Sequence, residues 1–322
     1  MSLTETKYEK APNAAKKGWH IAVSPVWNHR ESRLRAPLRA VLPLVLTFIG
    51  LAAVQPTARA WFDPPFGQIA QFVGFSVVLL GGVLVGSRLI DRRPVSGYGL
   101  SVDRGWLRSF AVGGVIATLA NAGTFVVALI SGWATVTGFA QGSDHFPIAV
   151  VLVFSLIGVA AVWEEFIFRG TMLKNLAEGT VGYAPRWVAV GLAVVLSTAV
   201  FALMHGGKVD HFSLYSYYAV AGLVLAMPYV LTGSLAMSMG FHLFYNFTMS
   251  VVFGLGVSLK TPELVVLDFS GPGLWVGEEG LLNLIFAAAA GVLVVLYVYR
   301  RDGGIGIADG LTNRERTDDG GG

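Results

Sequence analysis

The chain has 322 residues, of which 54% are hydrophobic and only 13% are charged. A soluble domain usually carries about 25% charged residues, so this composition excludes an ordinary soluble protein and indicates a chain that crosses a membrane several times. The net charge of +3 comes from basic residues beside apolar stretches, which argues against a nucleic-acid partner, and the absence of cysteine excludes disulfides and thiolate metal sites.

Eight apolar stretches are long enough to cross a bilayer, which takes about 20 mostly apolar residues in a helix. These predicted spans are residues 38–54, 67–87, 107–131, 147–168, 187–205, 213–231, 234–256 and 281–299. The sequence therefore predicts an all-α polytopic membrane bundle over residues 37–300. A basic cytoplasmic segment, 1–36, too long and polar for the start of a cleaved signal, precedes it, and a disordered cytoplasmic tail, 301–322, follows.

Basic residues alternate between the loops. They cluster before span one, between spans two and three, between spans four and five, and after span eight, where Arg300 and Arg301 follow the apolar stretch. The only basic residues in the opposite loops are Arg59, Lys208 and Lys260. Because positive residues are retained on the cytoplasmic side, the pattern predicts that both termini are cytoplasmic, which an even number of spans requires.

Span four ends in two adjacent acids, within Trp-Glu-Glu-Phe-Ile-Phe-Arg-Gly at residues 163–170. An ionisable side chain inside a bilayer costs roughly 2.5–3.5 kcal/mol, so such residues usually have a function. Glu165 and Arg169 lie four residues apart and can pair on one helix face. Glu164 points about 100° away and has no basic partner at that spacing, which favours a general base. The alternative is a pair of acids that marks the cytoplasmic helix end, although acids there oppose the helix dipole.

Two later spans carry histidines. His205 closes span five, and His242 lies inside span seven with Asn246 four residues on and on the same face. The alternatives are an interfacial histidine for His205 and a polar pair that joins helices for His242 and Asn246, a contact typically worth about 0.6 kcal/mol. His211 lies in a polar loop and is expected to be solvated.

Together these side chains suit amide hydrolysis in either of two arrangements. Two histidines and a carboxylate from different helices can hold a catalytic zinc with an open position for water, which makes Glu164, His205 and His242 the candidate metal ligands. Alternatively, Glu164 deprotonates water directly while the histidines and Asn246 stabilise the oxyanion.

The motifs Glu-Glu-x-x-x-Arg, Phe-x-x-x-His and His-x-x-x-Asn, in this order on successive spans, resemble those of the CPBP intramembrane proteases. This family, also called the CAAX protease and bacteriocin-processing or Abi family, includes the type II CAAX prenyl endopeptidases. The resemblance covers about Pro147 to Ser250 and is supported by Phe168-Arg169-Gly170 and by residues 231–235, Leu-Thr-Gly-Ser-Leu.

The resemblance implies a role for each motif residue. Glu164 would activate water, and Glu165 with Arg169 would complete the first motif. His205 would be the second-motif histidine, and His242 with Asn246 would form the third. The family is often labelled zinc-dependent, a metal-free glutamate mechanism has also been argued for it, and some members cut prenylated C-terminal peptides.

The predicted topology sets a geometric condition on this site. Glu164 falls toward the cytoplasmic end of span four, whereas His205 falls near the far end of span five. The two can meet only if helix four continues past Arg169 toward Lys174 and helix five tilts or begins late. We expect both.

The function expected from the sequence is an intramembrane endopeptidase of the cell membrane. Its substrate would be a membrane-associated peptide or protein, with the cytoplasmic side as the expected approach. A proton-coupled transporter is one alternative, because intramembrane carboxylates and histidines also form proton relays, although the chain shows no internal repeat. A non-catalytic scaffold or immunity protein with the same fold is the other alternative.

Overall fold

The computed structural model describes residues 25–29, 31–62, 66–206, 215–256 and 261–312. These residues form nine α-helices: α1 Ala36–Trp61, α2 Phe66–Leu84, α3 Arg104–Ile130, α4 Phe146–Glu165, α5 Lys174–Thr180, α6 Arg186–Met204, α7 Tyr215–Thr232, α8 Ala236–Phe247 and α9 Leu281–Asp302. Three of them continue as π-helices, namely α2 over Val85–Asp91, α4 over Phe166–Leu173 and α8 over Thr248–Val252. The predicted all-α membrane bundle is confirmed.

The number of clear membrane spans differs from the prediction. All eight predicted stretches are helical, but six of the described helical stretches are long and apolar enough to cross a bilayer. The apolar helix Ser216–Thr232 is shorter, and α8 with its π-helical continuation has 12 and 5 residues, about 25 Å of helix. A hydrocarbon core is about 30 Å thick, so within the described residues six of the eight predicted spans are long enough to cross it, and the other two lie on these shorter helices.

Local sequence explains where several helices begin and end. The Asp103 carboxylate accepts a hydrogen bond from the backbone N–H of Trp106 at 2.7 Å, which caps the start of α3. Pro37 lies in the first turn of α1, where its missing N–H costs nothing. Gly303 ends α9 in the left-handed region at φ 73°, which a residue without a side chain adopts without strain.

Two small antiparallel pairs of strands accompany the helices, and the sequence analysis predicted neither. Strands β1, Trp27–Asn28, and β2, Arg33–Leu34, form a short hairpin before α1. Strand β3, Ala134–Gln141, pairs with β4, Glu263–Phe269, with a bulge near Gly138. The second pair joins the segment after α3 to the segment before α9.

Helices α3 and α8 pack backbone against backbone. A Cβ atom added to Gly240 would overlap the backbone carbonyl oxygen of Phe110, and one added to Gly113 would overlap that of Met237. Only glycine permits so close an approach of two helices. Since α8 carries His242 and Asn246, this contact fixes the position of both side chains.

A buried ion cluster joins α2, α5 and the N-terminal hairpin. Asp91 accepts hydrogen bonds from Arg33 Nη1 at 2.7 Å and from the Tyr98 hydroxyl at 2.5 Å, and Glu178 accepts one from Arg93 Nη2 at 2.6 Å. Burial raises the pKa of Tyr98, and the charge of Asp91 raises it further, so the phenol stays protonated. The described part of the predicted N-terminal segment 1–36 is therefore joined to the bundle, through Trp27 under Arg92 and through Arg33 on Asp91. Residues 1–24 and 30 lie outside the described part.

The predicted disordered tail, 301–322, is wrong for its first half. After α9 the chain turns back, Ala308 N donates to Val230 O at 2.9 Å, and Leu311 is fully buried. Arg186 Nη2 donates to Ile307 O at 2.8 Å. The Gly-rich composition suggested disorder, but this segment supplies backbone carbonyls to two cationic side chains of the bundle, Ile307 O to the partly exposed Arg186 and Gly310 O to the buried Lys174. Residues 313–322 lie outside the described residues.

Candidate active site

The two acids of the first motif lie in the middle of one long helical element. Helix α4, its π-helical continuation and α5 run without a break from Phe146 to Thr180, 35 residues or about 52 Å. The predicted continuation of helix four past Arg169 is confirmed. All eight residues of the π-helix Phe166–Leu173 are buried, and π-helical segments are rare and frequently occur at functional sites.

Glu165 is held between Arg169 and His242. Arg169 Nη1 donates to Glu165 Oε1 at 2.9 Å, as the spacing predicted, and His242 Nδ1 lies 2.7 Å from the same oxygen. A carboxylate can only accept, so Nδ1 carries the proton and the Nε2 atom of a neutral imidazole keeps its lone pair. Arg169 Nη2 also donates to Gly222 O at 3.1 Å, which anchors the pair to α7.

Glu164 has a different environment. Its side chain is 22% exposed, and its Oε2 atom is buried with no hydrogen-bond partner among the described residues. This atom lies 3.8 Å from His242 Nε2, too far for a direct hydrogen bond, although a water molecule can bridge two such groups. The predicted difference between a paired glutamate and an unpaired one is therefore present.

His205 follows the last turn of α6. Its Nδ1 lies 2.8 Å from the carbonyl oxygen of Phe201, and its ring stacks on Tyr218 with centroids 4.4 Å apart. The Phe201 ring stands between the two histidines, 4.6 Å from the His205 ring and 6.3 Å from that of His242. Helix α6 begins at Arg186, so of the two predicted alternatives for helix five, a tilt or a late start, the late start does not occur. His211 lies outside the described residues.

A cavity brings the second and third motifs together. It encloses about 670 Å³ of space not filled by protein atoms, its open mouth included. His205, His242 and Asn246 all line it, whereas Glu164 and Glu165 are not on its wall and reach it through the His242 ring. The remaining lining residues are Phe201, Tyr217, Tyr218, Ala221, Val224, Leu225, Phe241, Tyr245, Met249, Ser250, Glu278 and Ala287.

Sequence reasoning missed part of this wall. Tyr217 donates to the Tyr245 hydroxyl at 3.1 Å, and Tyr218 donates to Glu279 Oε1 at 2.8 Å, so phenols from α7 line and close one side. Glu278 comes from the segment before α9 and is 5% exposed. Tyr217 and Tyr218 open a predicted span as an adjacent pair, a signal that could have been read, whereas nothing local places Glu278 at the cavity.

The candidate zinc ligands do not form a three-ligand cluster. Among the described residues, no group of three His, Cys, Asp or Glu side chains is close enough to hold one metal ion. Glu164 and His242 approach each other, whereas His205 packs on the Phe201 and Tyr218 rings and does not complete a group of three with them. A catalytic zinc requires three protein ligands within bonding distance, so this arrangement does not fit it, and the chemistry below is derived from the side chains alone.

The family comparison agrees with this geometry. Residues 145–248, about a third of the chain, match the family model described as "Type II CAAX prenyl endopeptidase Rce1-like". Over these residues the chain is similar to the type II CAAX prenyl endopeptidases. The predicted resemblance is thereby confirmed, and the matched residues include every side chain of the three motifs. No curated protein and no solved structure gave a significant match. The protein is a multi-pass membrane protein, and its residues 145–248 resemble a protease family.

Proposed function

We propose that this protein is an intramembrane endopeptidase of the cell membrane that cuts a membrane-associated peptide or protein, prenylated CAAX-type substrates among the candidates. The observation that carries this proposal is that the two ring nitrogens of His242 face two different glutamates. Glu165 holds its Nδ1 at 2.7 Å, while the partnerless Oε2 of Glu164 faces its Nε2 at 3.8 Å. An oriented imidazole beside a free carboxylate is the arrangement needed to bind and deprotonate water.

The reaction follows from these positions. A water held between Glu164 Oε2 and His242 Nε2 gives a proton to the carboxylate, and its oxygen attacks the peptide carbonyl carbon. The carbonyl oxygen becomes an oxyanion, which the side-chain N–H donors of Asn246 on the cavity wall stabilise. His205 also lines the cavity, but its Nδ1–H donates to Phe201 O, so it donates to the oxyanion through Nε2 only as an imidazolium. Glu164 then returns the proton to the leaving nitrogen as the carbon–nitrogen bond breaks. The products are a carboxylic acid and an amine, and Glu164 is again a carboxylate.

Glu165 and Arg169 act through His242 in this scheme. The carboxylate fixes the imidazole tautomer, and the guanidinium holds the carboxylate in place at 2.9 Å. Both side chains are almost fully buried, so neither reaches the cavity. We therefore assign them positioning roles, and keep the catalytic role for Glu164, His205, His242 and Asn246.

The test is proteolysis in reconstituted membranes. Wild type and the Glu164→Gln variant are incubated with a pool of membrane-anchored and prenylated peptides, and the products are identified by mass spectrometry. Glu263→Gln is the matched control, because Glu263 lies on β4, away from the motifs. We expect wild type and the control to cut and Glu164→Gln to lose cleavage.

Other outcomes separate the alternatives. Equal cleavage by wild type and Glu164→Gln would refute the general-base role. If correctly folded wild type cuts nothing, but moves protons across the vesicle membrane, the transporter alternative replaces the protease. If it does neither, the non-catalytic scaffold is the better description.

A further inference from the structure

The bundle has two chemically different ends, and contacts between chain segments define each. At one end the C-terminal residues pack on the start of α6 and the end of α7, through Arg186 to Ile307 O and Ala308 to Val230 O. The ion cluster of Asp91 and Glu178 and the last turn of α9, with Arg300 and Arg301, belong to the same end. We call this the basic end.

The opposite end contains the β3–β4 pair, and we call it the sheet end. Trp133, which precedes β3, packs on Trp275 with ring centroids 5.7 Å apart, and Thr261 lies against the end of the α8 π-helix through Ser250 O. In the described residues of this end the only Lys or Arg is Arg59, at the last turn of α1. Lys208 and Lys260 lie outside the described residues.

The cavity lies entirely in the half of the bundle near the sheet end. Helix α6 contributes only Phe201 and His205 from its C-terminal turn, and α7 contributes residues 217–225 from its first part. Helix α8 with its continuation contributes residues 241–250, and α9 contributes only Ala287, near its start. The basic end of each of these elements contributes nothing to the described wall.

We propose that the substrate reaches this site from the non-cytoplasmic face of the membrane. Positive residues are retained on the cytoplasmic side, so the basic end is cytoplasmic and the cavity faces the other way. Its wall includes Glu278, from the segment before α9, which belongs to the sheet end. The proposal deepens the proposed function and rests on it. It replaces the cytoplasmic approach expected from sequence with a substrate segment exposed outside the cytoplasm, and of the candidate substrates it favours membrane-anchored peptides over prenylated ones, because prenyl groups are attached in the cytoplasm.

The chain offers an unusually clean test, because it contains no cysteine. Single cysteines are placed on the cavity wall by Ala221→Cys and Ala287→Cys, at the sheet end by Leu274→Cys, at the basic end by Val102→Cys, and in the core by Ala193→Cys. Leu274 and Val102 are 66% and 67% exposed, whereas Ala193 is 1% exposed. Each variant, in full-length protein, is treated in right-side-out and inverted vesicles with a small, permanently charged methanethiosulfonate reagent.

We expect both cavity cysteines and Leu274→Cys to lose their free thiol only in right-side-out vesicles, Val102→Cys only in inverted vesicles, and Ala193→Cys in neither. Labelling of the cavity cysteines from the cytoplasmic side, from both sides or from neither would overturn the proposal. The same holds if Leu274→Cys and Val102→Cys exchange sides. Labelling requires no catalysis, and repeating it in the Glu164→Gln background separates failure of this inference from failure of the proposed function.

Discussion

Replacing Arg169 by methionine should destabilise the bundle more than almost any other single change. The guanidinium is 2% exposed, donates to Glu165 Oε1 at 2.9 Å and to Gly222 O at 3.1 Å, and lies over the Phe201 ring at 4.6 Å. Methionine fills similar space without charge. The Glu165 carboxylate, 0% exposed, then keeps only His242 as a partner.

The expected cost follows from the uncompensated charge. Breaking a buried ion pair by removing one partner typically costs about 3–5 kcal/mol, whereas an exposed pair contributes about 0–1 kcal/mol. We therefore expect Arg169→Met to lower the free energy of unfolding by about 3–5 kcal/mol. Glu165→Gln should also be destabilising, because it leaves the buried guanidinium unpaired, and the double variant should recover part of the loss.

The assay is equilibrium unfolding of the purified protein in detergent micelles, as a double-mutant cycle of Arg169→Met and Glu165→Gln. Residues in one network show coupling of about 0.5–3 kcal/mol. If Arg169→Met unfolds within about 1 kcal/mol of wild type, or if the two changes are additive, the buried pair is not the anchor that the geometry indicates.

Three further predictions concern other parts of the molecule. Gly240→Ala should destabilise the protein and lower cleavage, because the added Cβ overlaps the backbone of Phe110 and no side-chain rotation relieves that overlap. Gly191→Ala, with open space around the added Cβ, should be neutral in the same unfolding and activity assays. Arg93→Met removes a buried partner of Glu178 at 2.6 Å, so thermal unfolding should shift down while Glu164-dependent cleavage persists in the folded fraction. Cleavage should survive dialysis against a chelator, measured by mass spectrometry, since the described side chains form no three-ligand site; abolition by chelation and rescue by zinc would contradict that expectation.

Hydropathy predicted the helices well, because a membrane helix is a run of apolar residues and such a run is visible in the local sequence. The last predicted span, 281–299, compares with α9 at Leu281–Asp302, and helix spacing alone paired Glu165 with Arg169. The contact of His242 with Glu165 could not be predicted in this way, because 77 residues separate the two side chains along the chain. The order of the motifs predicted a shared site, but it did not predict which of the two glutamates contacts the His242 ring.

The missed strands had a readable signal. Residues 134–141 contain Thr135, Val136 and Thr137, and residues 263–269 contain Val265 and Val266, all β-branched residues that favour strands. Each segment is short and flanks a span, so it reads as a loop until its partner is known. The two segments lie more than 120 residues apart, so their pairing and register depend on the tertiary fold and could not be predicted from the local sequence.

The short, covered helix α8 has a consequence for how the protein is made. Nine of its 12 residues are buried, and with its π-helical extension it is about 25 Å long, so lipid alone is a poor environment for it. It follows α7 after a turn of three residues, and its glycine contact with α3 can form only once α3 is already in the membrane. The segment that carries His242 and Asn246 is thus set in place late, by its neighbours rather than by the bilayer, and the protein has no working site until the bundle closes around it.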